Sequence, residues 1–166
     1  MAAPRDMFFD LAARMWNGLG APLRRTLAWL GNAKFIHGVS AIVIDDEGKV
    51  LLLKHRFWKH QRWGLPGGLA RRGETLSATL RRELREETGL DVRPAKLLQV
   101  NTAKGRLAEF ILLAECAGEP EAKSAEIMDA RFWERTELPE NLLPAHRALL
   151  EEILAKQDWP GLPLEE

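Results

Sequence analysis

The chain has 166 residues, 46% of them apolar, and its Lys plus Arg and Asp plus Glu totals are both 24. That length suits one domain with a short appendage, and the composition is rich enough for a real core. A formal net charge of zero excludes reading a nucleic-acid or membrane partner from the global balance, so local patterning has to identify any partner. In chain order, residues 6–17 place Phe8, Leu11, Ala12, Met15 and Trp16 at helical spacing, and Gly18 and Gly20 end that segment. A second short helix starts at Pro22 and carries Leu23, Leu27 and Leu30 to Gly31. Residues 1–33 thus form a helical arm, suited to packing on the main domain or on a second subunit of a homodimer. An amphipathic membrane-surface role fits less well, because acids sit on its polar side and lysines are few. Asp10 and Arg14 interrupt the apolar block that a signal peptide requires. No stretch reaches the roughly 18–20 apolar residues of a membrane span, so a cytoplasmic protein is expected.

The main domain is expected over 34–157. "HGVSAIVIDDEGKVLLLKHRF" reads as a hairpin, with strands at 38–44 and 50–54 around the turn "DDEGK". "RWGLPGG" is a breaker-rich loop. A helix follows over 76–88, with Thr75 as N-cap, Leu76, Leu80 and Leu84 as core face, and Gly89 at the left-handed C′ position. Strands are expected near 96–102, 107–116 and 130–134. The lone Cys116, inside "FILLAEC", reads as a buried thiol that cannot form an internal disulfide. Pro144 to Lys156 forms a last amphipathic helix marked by His146, Leu149, Leu150, Ile153 and Leu154, and residues 158–166 read as a loose tail. Strands mixed with helices point to an α/β sandwich.

The helix over 76–88 carries an electrostatic oddity. Glu83, Glu86 and Glu87 crowd its last turn, where the carbonyl end of the macrodipole disfavours anions. Glu83 and Glu87 stand at i,i+4, a repulsive spacing for like charges. At 100° per residue, Glu87 and Glu86 fall about 40° and 60° to either side of Glu83. Three carboxylates in one sector stay ionised cheaply only if a cation joins them. Clustered hard oxygens are what Mg²⁺ or Mn²⁺ selects, and Mg²⁺ is commonly completed by substrate phosphates. The helix alone is also consistent with a solvated, salt-bridged face, since Arg81, Arg82 and Arg85 interleave with the acids.

The preceding loop tips the balance. The stretch from Gly68 to Leu90 resembles the signature of the Nudix (MutT-like) hydrolases, G-x5-E-x7-R-E-U-x-E-E-x-G-U with U aliphatic. Here Gly68, Glu74, Arg82, Glu83, Leu84, Glu86, Glu87, Gly89 and Leu90 fill every specified position. "WGLPGG" before the signature and "FWERTELP" after it resemble further family features, and the likeness covers roughly residues 36–155. The resemblance implies a Nudix-type α/β/α sandwich with a mixed β-sheet. It implies divalent-metal-dependent cleavage of a nucleoside diphosphate linked to another moiety, such as a nucleotide sugar or a nucleoside triphosphate. Removal of pyrophosphate from RNA 5′ ends and non-catalytic nucleotide sensing are the alternatives. Carried over by position, Glu83, Glu86, Glu87 and the Gly67 carbonyl would hold metal. Arg82 would hold a catalytic glutamate, Glu74 would brace the loop against the helix, and Gly68 and Gly89 would be structural. Glu83 is the first choice for a metal-coupled role and a candidate for the base, and Glu126 matches an acidic position that supplies a metal ligand or base in some members.

No acid lies between Glu47 and Glu74, a stretch with Lys49, Lys54, Arg56, Lys59, Arg62, Arg71 and Arg72. A basic loop beside a polyanion site would steer phosphate inward. Phe57, Trp58 and Trp63 lie within it and could stack on a base; a mobile basic loop with Trp63 in the core is the equal alternative. Arg56, Arg62, Trp63 and Asn141 are therefore the candidates for contacting a nucleotide or an RNA 5′ end. The pattern does not identify the substrate.

Overall fold

The computed structural model describes residues 4–60, 62–154 and 162–163. The chain divides into two compact units, Met1–Lys34 and Phe35–Glu166. In the first, α1 (Pro4–Gly18) and α2 (Ala21–Gly31) are separated by Leu19 and by Gly20, which stands at the N-cap of α2 with Pro22 in the first turn. The ammonium of Lys34 sits 4.5 Å from the Trp29 ring. The apolar residues Phe8, Leu11, Met15, Leu23 and Leu27 are exposed. No helix among the described residues is long and apolar enough to cross a membrane.

The second unit runs β1 (Ile36–Ile44), β2 (Val50–His55), β3 (Trp63–Gly64), β4 (Gly67–Leu69), α3 (Leu76–Thr88), β5 (Val92–Lys104), β6 (Leu107–Cys116), β7 (Ile127–Trp133), α4 (Pro144–Leu154) and β8 (Leu162–Pro163). β1 lies parallel to β6 over nine paired positions, Ile36↔Leu107 to Ile44↔Glu115. The other ladders are antiparallel, so the sheet is mixed. β1 is apolar without alternation because both of its faces are covered. Val39, Ala41 and Val43 share a core with Leu51, Leu53 and Leu112 and with Leu80 and Leu84 of α3. Ile42 and Ile44 share a second core with Leu52, Leu113, Trp63 and Leu150 and Ile153 of α4. One helix on each face of the sheet makes the α/β/α sandwich. Truncating fully buried Leu84 to alanine would cost roughly 2–5 kcal/mol.

The expected hairpin is shorter than its sequence suggests. β1 and β2 pair only at Ile44↔Val50, where Asp45 Oδ1 accepts from the backbone N–H groups of Glu47 (3.0 Å) and Lys49 (2.8 Å). The strands then part, and the breaker-rich loop supplies a short strand to each. β3 pairs with β2 and β4 pairs with β1. Pro66 lies between them, and its carbonyl accepts from Ala41 at 2.9 Å. β7 covers the outer edge of β2, and begins at Ile127 rather than near 130. β5 starts at Val92, ahead of the expected 96, with register shifts along its pairing with β6. Most of the tail lies outside the described residues, but Leu162 and Pro163 pair with Leu97 and Lys96 of β5, so that part is not loose.

Candidate active site

α3 is built as its sequence requires. Thr75 Oγ1 accepts from the Ala78 backbone at 3.1 Å, and Gly89 takes the left-handed conformation (φ 74°) that ends the helix. Leu80 and Leu84 are fully buried; Glu87, seven residues after Leu80, shares their buried side, the Glu83 carboxyl lies against Gly68 of β4, and Glu86 is exposed. The segment before β7 folds back over the helix end. There the Lys123 and Glu121 N–H groups donate to the carbonyls of Glu87 (2.9 Å) and Thr88 (3.1 Å).

Arg82 organises the acids. Its Nε and Nη2 donate to the two Glu74 oxygens at 2.7 and 2.9 Å, while Nη1 donates to Glu83 at 2.7 Å. Nη2 also reaches the Leu69 carbonyl at 3.0 Å. Glu74 additionally accepts from the Arg71 N–H (2.8 Å) and from Thr79 Oγ1 (3.2 Å). Loop, β4 and helix are thus tied through one guanidinium in a two-pronged, charge-assisted contact. Arg82, then the Arg71 N–H, hold the Glu74 carboxyl well below the usual range, to about 2. Glu86 is half exposed and paired with Arg71 at 3.2 Å. Gly68 faces the Glu83 carboxyl so closely that a Cβ there would collide with it.

Glu87 is the anomaly. It is buried, and its Oε2 has no hydrogen-bond partner. Burial first, then the charges of Glu83, Glu126 and Glu86, push its carboxyl up to about 8, against a hydrogen bond from the Gly67 backbone. A buried, unpartnered carboxylate oxygen beside other acids is costly unless a cation joins it. Among the described residues, no three acidic or histidine side chains are gathered closely enough to form a ready coordination group, and Glu83 and Glu86 lean on arginines instead. Hard oxygen donors around an orphaned carboxylate still fit a hard divalent cation. Glu83, Glu86 and Glu87 are the residues that would hold it. Glu126, just before β7, lies near enough to act on Glu87, and its carbonyl accepts from the Arg56 N–H at 2.8 Å.

The parting of β1 from β2 opens a cleft of about 280 Å³ next to this frame. Gly67 and Gly68 form one end, and Ser40, His55, Trp58, Glu109 and His146 line the rest. Trp58 stacks on His55, with centroids 3.8 Å apart and planes 10° apart. It leans over Gly64, where a Cβ would collide with the ring. Burial, then His146, lowers the His55 imidazole to about 4, so it is neutral at pH 7. The Leu65 N–H donates to His146 Nδ1 at 2.9 Å, and Ser40 Oγ donates to Glu109 Oε1 at 3.3 Å.

The substrate-contact candidates do not converge. Trp63 is 6% exposed and packs edge-on against Trp133 in the core, so it cannot stack on a base; its apolar bulk closes the α4-side core instead. Arg56 is exposed, and its Nε donates to the Ala125 carbonyl at 2.9 Å, tying the end of β2 to the segment that carries Glu126. The Arg62 carbonyl accepts from His55 (3.1 Å) and the Asn141 carbonyl from Trp63 (3.3 Å), both as backbone supports. The cleft residues Ser40, Glu109 and His146 gave no local signal. Trp58 had one, as an aromatic inside the basic run.

A NUDIX domain model matches residues 34–155. The 8-oxo-dGDP phosphatase NUDT18 of Danio rerio is 34% identical over 102 residues, covering 58% of this chain and 31% of that protein. An ADP-ribose pyrophosphatase of Methanocaldococcus jannaschii is 26% identical over 113 residues, covering 63% of this chain and 67% of that one. The crystal structure of a MutT NUDIX hydrolase from Burkholderia pseudomallei matches with a TM-score of 0.61 at 29% identity, over 72% of this chain and 98% of that one. The chain spans about a third of the length of the NUDT18 relative it matches.

Proposed function

The chain belongs to the Nudix family, and we propose that it is a divalent-metal-dependent pyrophosphohydrolase that cleaves a nucleoside diphosphate linked to another moiety. The observation that carries this reading is the buried, unpartnered Glu87 Oε2 within an acid cluster that Arg82 and Glu74 hold in place beside a nucleoside-sized cleft. Glu83, Glu86 and Glu87 would hold a divalent cation, which would supply charge neutralisation at the diphosphate and a more acidic water. Arg82 fixes Glu83, so the carboxylate does not have to reorganise when substrate arrives. One Glu83 oxygen is already engaged by Arg82. Glu126, whose charge acts on Glu87, is therefore the group we assign to take the water's proton. Exposed Arg71 and Arg72 on the loop between β4 and α3 draw the polyanion in.

The names of the relatives include a phosphatase of 8-oxo-dGDP and a pyrophosphatase of ADP-ribose, so the reading is not confined to one leaving group. The test is a panel of nucleotide sugars, nucleoside di- and triphosphates and 5′-triphosphorylated RNA, with Mg²⁺, with Mn²⁺ and with chelator. Metal-dependent phosphate or nucleotide release from a nucleotide, abolished by chelator, is the expected result. Release from RNA alone would move the function to RNA 5′ ends. Tight binding with no release under either metal would make the domain a nucleotide sensor.

A further inference from the structure

We propose that the helical arm, α1 and α2, is a docking surface for anionic lipid and holds this chain against a bilayer. This goes beyond hydrolysis and does not depend on which substrate the main domain cleaves. Both arm helices space their apolar residues as packed helices do. Yet no residue of α2 is buried, and Phe8, Leu11, Met15 and Trp16 of α1 are 45–68% exposed. The helices of the second unit behave otherwise: α3 buries Leu80 and Leu84, and α4 buries Leu150 and Ile153. Contiguous exposed apolar faces mark contacts with proteins or membranes.

Angular spacing separates the faces. At 100° per residue, Leu11, Met15, Phe8 and Trp16 fall within an arc of about 140° on α1. Asp6, Asp10 and Asn17 fall within about 40° of one another on the opposite side, so the acids of the arm stand away from its apolar face. On α2, Leu23, Leu27 and Leu30 share an arc of about 60°, with Arg24 at its edge. The helices have 15 and 11 residues. Both fall short of the roughly 20 that cross a bilayer, so a lipid contact has to lie in the surface plane.

Charge then selects the occupant. From Leu11 to Ile44 the chain has no acid, while Arg14, Arg24, Arg25 and Lys34 lie within that run. Like charges oppose the close packing of two such arms, as a second copy would require. An anionic bilayer gains from each of these cations instead. At the flanks of the apolar faces, long arginine side chains can carry their charge to the headgroups while their stems stay in apolar contact. The Lys34 ammonium, 4.5 Å from the Trp29 ring, sets a cation beside an aromatic at the end of α2. That pairing suits the boundary between headgroups and acyl chains.

The test is co-sedimentation of the full chain with vesicles of phosphatidylcholine alone and of phosphatidylcholine with about one third phosphatidylglycerol, at low and physiological salt. Binding should be about tenfold or more stronger to the anionic vesicles and should weaken as salt rises. Leu23→Gln with Leu27→Gln, and separately Arg14→Gln with Arg24→Gln, should each lower it about tenfold or more. Thermal melting of the main domain should not change in either. Should the leucine pair destabilise the chain, the arginine pair and the salt dependence decide by themselves. No binding to either vesicle, equal binding to both, or anionic binding indifferent to the arginine pair would overturn the proposal. So would a dimer seen by analytical ultracentrifugation and lost in the leucine pair, in a chain that ignores vesicles, since a second copy would then cover the face. A chain that binds anionic vesicles yet hydrolyses no nucleotide would keep this inference and remove the hydrolase reading.

Discussion

The two ends of the cleft are built in opposite ways. The acid end comes from one continuous stretch, Gly67 to Thr88, in which every acid but one has an arginine partner: Glu74 and Glu83 with Arg82, Glu86 with Arg71. The exception is buried Glu87. The far end draws Ser40, His55, Trp58, Glu109 and His146 from four separate parts of the chain. An end that handles a polyanion needs fixed, opposed charges, and neighbouring residues on one helix fix them. An end that distinguishes neutral bases needs shape and a few directed hydrogen bonds, and a sheet surface supplies those.

That contrast can be broken at either end. Glu87→Gln and Glu83→Gln should each lower kcat by roughly a hundredfold or more, with melting behaviour retained. Near-normal turnover in either purified variant would remove the acids from the chemistry. Arg82→Lys keeps the charge but cannot reproduce the fork on Glu74 while also reaching Glu83. Loss of about ten- to a hundredfold in activity is expected, with a raised Mg²⁺ requirement as the signature, and an unchanged metal titration would refute the positioning role. At the other end, Trp58→Ala should raise KM by about tenfold through lost stacking while kcat changes little. A kcat effect larger than the KM effect would mean that the two ends are not separable.

The smallest effect is one of pH. The fold lowers the His55 pKa to about 4 from 6.5, so between those values the unfolded chain binds more protons than the folded one. Stability from this group is therefore complete above pH 6.5 and declines as pH falls towards 4. Burial of Glu87, with its carboxyl raised to about 8, acts with the opposite slope, losing stability as pH rises through 4.5 to 8. His55→Phe should remove the first contribution alone. Urea midpoints from pH 4 to 7 should fall less steeply towards acid than in wild type, and parallel profiles would show that His55 does not carry the effect.

The same contrast explains what could be read from the chain. α3 was legible to its caps because Thr75, the leucines and Gly89 act through local spacing, and the acids could be placed by angle alone. The mixture of strands and helices gave an α/β sandwich, and the α/β/α layering came with the resemblance of Gly68 to Leu90 to the Nudix signature. The short hairpin pairing was not legible, since local propensity joins 38–44 to 50–54, whereas parallel β6 and inserted β4 compete for the β1 edges. Trp63 looked like a stacking platform because it stands among cations in sequence, yet backbone bonds with Asn141 and Leu143 draw it into the core. Ser40 and Glu109 meet only because β1 and β6 pair in a particular register, and composition carries no trace of that.

The parallel ladder between β1 and β6 also sets an order in time. The Ser40–Glu109 contact spans 69 residues, and such closures are slow compared with the formation of a helix. During refolding the acids can assemble on α3 before the sheet that lines the cleft exists. A chain caught at that stage would carry the Arg82–Glu74 frame without the Ser40–Glu109 contact that the paired strands bring together.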